Sequence, residues 1–130
     1  MALGLASGVA NGFMDALFRA VNYTAPTACW VKLHTADPGS AGTTAAATET
    51  TRKQFVSSSA AAGGSVSNTT AMLWTAVAGT ETYSHYSLWT ASTAGTFLGS
   101  GALTVAKAVT AGDDFTFAIG TFTGAITLAA

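Results

Sequence analysis

The 130-residue, 13.0 kDa chain carries charge on only 8% of its residues, while 49% are hydrophobic; it is sized for one domain with one core, expected over residues 1–130. Ala, Gly, Ser and Thr fill more than half the positions, and seven Phe, three Trp and three Tyr beside a net charge of -1 exclude intrinsic disorder. Five Lys and Arg in all cannot form a basic stripe, which argues against a nucleic-acid partner.

Residues Ser7 to Val21 read as a helix, within an N-terminal helical unit over residues 1–22. Leu5, Val9, Phe13, Leu17 and Val21 recur every four residues, and Met14 and Phe18 widen the stripe. Asn11, Asp15 and Arg19 mark the wet side, Ser7 is the expected N-cap, and Pro26 prevents continuation. Gly8 and Gly12 weaken this helix by roughly 1 kcal/mol each relative to Ala, so it needs a surface to pack on. Leu5, Val9, Phe13, Leu17 and Phe18 are the candidate docking face. The short connection through Tyr23–Thr27 favours packing on the chain's own domain over packing on a partner.

The period then changes from 3.6 to 2, and residues 28–130 read as a β-domain. Cys29, Val31 and Leu33 alternate with Trp30, Lys32 and His34, and Asp37-Pro38-Gly39 marks a turn. Ser40 to Thr51 reads as an exposed, featureless loop. Strand candidates follow at Lys53–Ser57, Ala71–Val77, Tyr83–Thr90, Thr96–Leu98, Ala102–Val105, Phe115–Ile119 and Thr121–Leu128, separated by Gly, Ser, Asn and Asp clusters. The expected fold is mainly β: an antiparallel sandwich, jelly-roll or immunoglobulin-like, with one N-terminal α-helix. Val31, Leu33, Leu73, Leu88 and Leu103 are its expected core.

Few residues could carry chemistry. Cys29 is alone, which excludes an internal disulfide, and no Cys/His spacing suits zinc. The start lacks the charged n-region of a signal peptide, and no apolar run of about 20 residues would span a membrane. His34 and His85 lie on separate strands and read first as hydrogen-bonded strand residues, with a metal or catalytic pair as the sharper alternative. Asp113-Asp114 lacks the further ligands calcium needs and reads as a turn. Gly99-Ser100-Gly101 is a bend in a sheet, since the rest of a dinucleotide fingerprint is missing. No catalytic site, cofactor or metal is expected, and a polymer hydrolase would need an acid/base pair that the chain does not offer. Tyr83, His85 and Trp89 share one strand face that could stack on a sugar ring, or pack inward as core.

Several segments resemble a family of small structural proteins of tailed bacteriophages, commonly labelled phage tail fibre or minor tail proteins. They are Ala16–Arg19 with Tyr23–Pro26, Trp30–Gly39, Glu81–Trp89, Gly101–Thr104, and Val109 with Ala111–Asp113. The resemblance implies a non-enzymatic virion component, assembled in the host bacterial cytoplasm beside major capsid or tail proteins. A low-charge surface adds the expectation of a homo-oligomer, with no nucleic-acid or membrane partner. A single compact domain without repeats supplies no shaft, so decoration of the head is slightly favoured over a tail or fibre position. The alternative is a tail-associated host-glycan-binding module using the aromatic face of Tyr83, His85 and Trp89.

Overall fold

A computed structural model describes residues 4–126 together with Leu128 and Ala129. In chain order the elements are β1 (Gly4–Leu5), α1 (Ser7–Arg19), β2 (Cys29–His34), β3 (Lys53–Phe55), β4 (Ser65–Ser67), β5 (Met72–Trp74), β6 (Glu81–Trp89), β7 (Phe97–Val109), β8 (Phe115–Phe117) and β9 (Thr123–Ala125). A five-stranded sheet runs β1-β7-β6-β2-β3, and two-stranded sheets pair β4 with β9 and β5 with β8. Every pairing is antiparallel. The molecule is therefore mainly β with one helix, in a sandwich-like arrangement, as the period-2 segments predict.

Alternation makes the core. Val31 and Leu33 of β2 point inward and are fully buried, and they meet Met72 and Trp74 of β5, Tyr83 of β6 and Phe115 of β8. The aromatic rings meet at tilted or edge-on angles: Trp74 and Phe115 at 5.7 Å, Tyr83 and Phe115 at 5.2 Å, Tyr86 and Phe122 at 4.7 Å. Trp74 also donates its indole N–H to the Thr51 carbonyl at 2.7 Å, which leaves no unmet donor on that side chain. Buried Asn68 clips a distant turn into place. Its amide donates to the Thr70 and Ala118 carbonyls, and its oxygen accepts from the Phe122 N–H.

The Asp37-Pro38-Gly39 turn forms as read. Gly39 has φ of +72° and donates its N–H to the Asp37 carboxylate at 2.9 Å. Other expectations are corrected. Thr96–Leu98 and Ala102–Val105 are one strand, β7, because Gly99 and Gly101 continue the ladder with β6 instead of ending it. Leu73 is 43% exposed, since Met72 and Trp74 take the inward phase of β5. Leu88 and Leu103 pack half-buried against the core. The segment after the turn is a strap, with Ala47 and Glu49 buried and Ala47 N–H bonded to the Leu33 carbonyl. Glu81 fastens it further, accepting from the Thr48 N–H at 2.8 Å and the Thr48 hydroxyl at 3.1 Å. Strands β1 and β4 were not signalled by any alternation. Ala6, not Ser7, is the N-cap of α1, and Ala20 ends the helix in a left-handed conformation, φ 54°. Leu5 belongs to β1 rather than to the helix. Of the expected segments, residues 1–3 and Thr127 lie outside the described residues.

Leu33→Ala should therefore destabilise the domain by roughly 2–5 kcal/mol, and Leu73→Ala by under about 1 kcal/mol. Urea titration of both variants checks the assigned phase of each strand.

Candidate functional site

The helix α1 is amphipathic, with Asp15 and Arg19 paired across one turn at 2.9 Å on its polar side. Its apolar side is wider than one neighbour can cover. Val9, Gly12 and Ala16 are half-buried, Gly12 lies against the Tyr23 ring, and Phe13 meets that ring at 4.5 Å. A cavity of about 400 Å³ remains beneath, lined by Leu5, Val9, Phe13, Cys29, Leu88 and Phe122 among others. No residue of α1 is buried, and Leu17 and Phe18 are 73% and 72% exposed. Met14 and Leu5 are more than half exposed beside them, with Ile126 bordering the same groove. The expected closure of the stripe within its own domain is partial: Leu5, Val9 and Phe13 lie over the sheet, while Leu17 and Phe18 are left uncovered. The helix is hydrogen-bonded to the sheet at its start, where β1 pairs with Gly99 and Ser100 and Ala6 N–H reaches the Leu98 carbonyl.

The aromatic face expected on β6 is split by the register shift between Tyr83 and His85. Tyr83 is fully buried against Phe115, and burial together with the charges of Glu81 and Glu49 pushes its phenol up to about 12. Trp89 is nearly buried, with the Arg52 guanidinium 4.1 Å from its ring centre. Arg52 also donates to the Ala91 and Ala94 carbonyls, closing the β6–β7 hairpin. His85 is half-buried, its Nδ1 bonded to the Ser84 hydroxyl at 2.8 Å. Tyr83 joins the core beside Tyr86 and Leu88, whereas His85 and Trp89 lie on the other side of the sheet with their register partners His34 and Trp30, so the three share no face and buried Tyr83 offers no ring to a sugar. Arg52 carried no motif that would have singled it out.

The two histidines do become neighbours, since His34 and His85 are register partners across β2 and β6. His34 is fully buried. With a carbonyl as its partner, Nδ1 must donate, to Thr44 at 2.9 Å. Nε2 then accepts from the Ser87 hydroxyl at 2.7 Å, and Ser87 accepts the Trp89 indole N–H at 2.7 Å. The spacing of Ser87 and His34 suits a nucleophile and its base. Ser87 is nevertheless fully buried and committed on both sides, so no substrate reaches it. Among the described residues no three His, Cys, Asp or Glu converge on a metal position. Asp113 and Asp114 accept from the Thr110 and Ala76 N–H groups, as turn carboxylates do. Burial pushes the Cys29 thiol up to about 11, which leaves it a poor nucleophile.

A family model described as Podophage GP4 fiber I protein gp80 matches residues 4–125. The chain belongs to this family. No curated protein matches it. Membership in the fibre I family agrees with the resemblance read from the β2 strand and its turn, and makes the chain a phage fibre protein and a structural component of the virion. The match runs through α1 and every strand. The bare helix face therefore lies within the part that the family shares.

Burial lowers the His34 pKa below its ordinary 6.5, and the nearby charges of Lys32 and His85 act the same way against the two backbone hydrogen bonds. A depressed histidine pKa stabilises the fold fully above the unfolded value, and that stability is lost as pH falls below about 6.5. Thermal melts from pH 7.5 to pH 5 should fall steadily. His34→Gln should melt lower at pH 7.5 and show a shallower fall.

Proposed function

We propose that the protein is a non-enzymatic subunit of a phage tail fibre assembly, and that its copies join one another through the exposed face of α1. The tail position rests on the fibre description of the matching family, over residues 4–125. That support, which spans nearly the whole chain, outweighs the argument for head decoration from the missing shaft. The carrying observation is the helix itself: Met14, Leu17 and Phe18 stand bare on a helix with no buried residue. With Leu5, Phe13 and Ile126 they expose apolar surface on the scale of several hundred Å², at which a patch marks an interaction site.

A second copy is the occupant that fits best. The patch itself carries no charge, and the Asp15–Arg19 pair that borders it beside Phe18 is neutral overall. A face of this kind is complementary to itself, as a two-fold contact requires. Burying it would stabilise association by about 1.5–3 kcal/mol for each large side chain fully covered. The non-enzymatic reading draws support from the saturation of the reactive groups, with His34, Ser87, Asp113 and Asp114 all engaged by protein partners. Assembly in the host bacterial cytoplasm and onward contact with other virion proteins complete the proposal.

Sedimentation of the purified chain should show a concentration-dependent oligomer in the micromolar range. The double variant Leu17→Ser/Phe18→Ser should sediment as a monomer with an unchanged melting temperature. A wild-type monomer at high micromolar concentration, or an oligomer that the variant leaves intact, overturns self-association through α1.

A further inference from the structure

A second surface lies where β7 leaves its ladder with β6. His85 pairs with Ala102 and Tyr83 with Lys107, so Leu103–Ala106 bulge out between those two pairs. Bulges of this kind re-aim side chains and are common beside functional sites. Here the bulge walls a cleft of about 540 Å³, closed on the other side by β8 and Thr121–Thr123. That volume falls within the ~300–1,000 Å³ range of small-molecule sites.

The floor is aromatic. Tyr86 and Phe117 both set their rings edge-on to Phe122, at 4.7 Å and 5.1 Å. Gly101 makes room for Tyr86, since a Cβ at that position would sit 2.3 Å from the phenol oxygen. The rim is polar, and part of it is unengaged. Thr116 bonds across to the Met72 carbonyl of β5, and Thr121 to the Ala118 carbonyl three residues back. Among the described residues the hydroxyls of Tyr86 and Thr104 and the ammonium of Lys107 have no hydrogen-bond or ion-pair partner. Asp114 uses Oδ1 for the Ala76 N–H and leaves Oδ2 open. Two donors or acceptors in hydroxyl form, one cation and one anion thus surround an aromatic floor without pairing with one another.

We propose that this cleft binds a short oligosaccharide segment. A sugar ring has an apolar C–H face for the aromatic floor and a belt of hydroxyls for a rim offering donors and acceptors of both charges. An added peptide strand fits less well, because the bulge interrupts the straight row of N–H and C=O groups that strand addition needs. The site uses no residue of α1, so it stands or falls independently of assembly through the helix.

The test is an array of bacterial surface oligosaccharides probed with the intact chain, followed by calorimetric titration of the best-bound oligosaccharide. Lys107→Ala and Thr104→Ala, both at exposed positions, should each weaken binding at least tenfold with unchanged melting temperatures. Tyr86→Phe should weaken it while retaining the floor. The Leu17→Ser/Phe18→Ser variant should bind the same oligosaccharide as the wild type does. No oligosaccharide bound at millimolar concentration overturns the proposal. So does binding that the cleft variants leave unchanged, or capture of an extended peptide at the cleft in place of any oligosaccharide.

Discussion

The pairing of β2 with β6 holds together parts of the chain more than fifty residues apart, and most other contacts are fastened to it. On the apolar side, Val31, Leu33 and Tyr83 meet the β5–β8 layer and exclude water from it. Alongside, the buried polar relay from Trp89 through Ser87 and His34 to Thr44 ties the sheet to the strap that follows β2. Each member of that relay has one consistent role only while His34 is neutral. A proton on Nε2 would turn His34 into a second donor toward Ser87 and leave the serine hydroxyl without its acceptor. The relay therefore fixes the sheet most firmly above the ordinary histidine pKa.

With only eleven charged residues, the chain uses charge and amides as local fasteners. Glu81 holds the strap at Thr48, Arg52 closes the β6–β7 hairpin, Asn68 binds the turn before β9, and Asp113 and Asp114 shape the turn before β8. Charged groups engaged by backbone partners leave few unengaged ions at the surface. Hydroxyls and small apolar groups cover what remains, and such a surface resists association weakly. An exposed helix face on this background becomes the dominant sticky feature of the molecule.

The two unfilled surfaces suit a fibre protein in different ways. The α1 face is apolar, uncharged and open, which fits a permanent contact between copies. The cleft beside the β7 bulge is small, mixed in polarity and rimmed by unpaired groups, which fits a ligand that comes and goes. Both are built on β7: α1 is tethered near Gly99, and the bulge begins after Ala102, three residues further along. One strand thus carries both.

The class of fold, the single helix with its polar and apolar sides, the inward phase of β2 and the Asp37-Pro38-Gly39 turn were all legible in the sequence, because each depends on neighbours within a few residues. Resemblance along nearly the whole chain also pointed to the phage structural family that the match to residues 4–125 shows. The burial of Ala47 was not legible, since it depends on a backbone bond to Leu33 and on Glu81 holding the strap from the far end of β6. The inward choice of Met72 and Trp74 over Leu73 was likewise set by the partner strand β8, as either phase of that short apolar run satisfies alternation. Nor could spacing show that Tyr83 is core, that His34 and His85 face each other, or that a bulge opens a cleft in β7. The helix is the sharpest case: its periodicity announced an apolar stripe, but only the arrangement of the sheets decided that half of it would meet nothing.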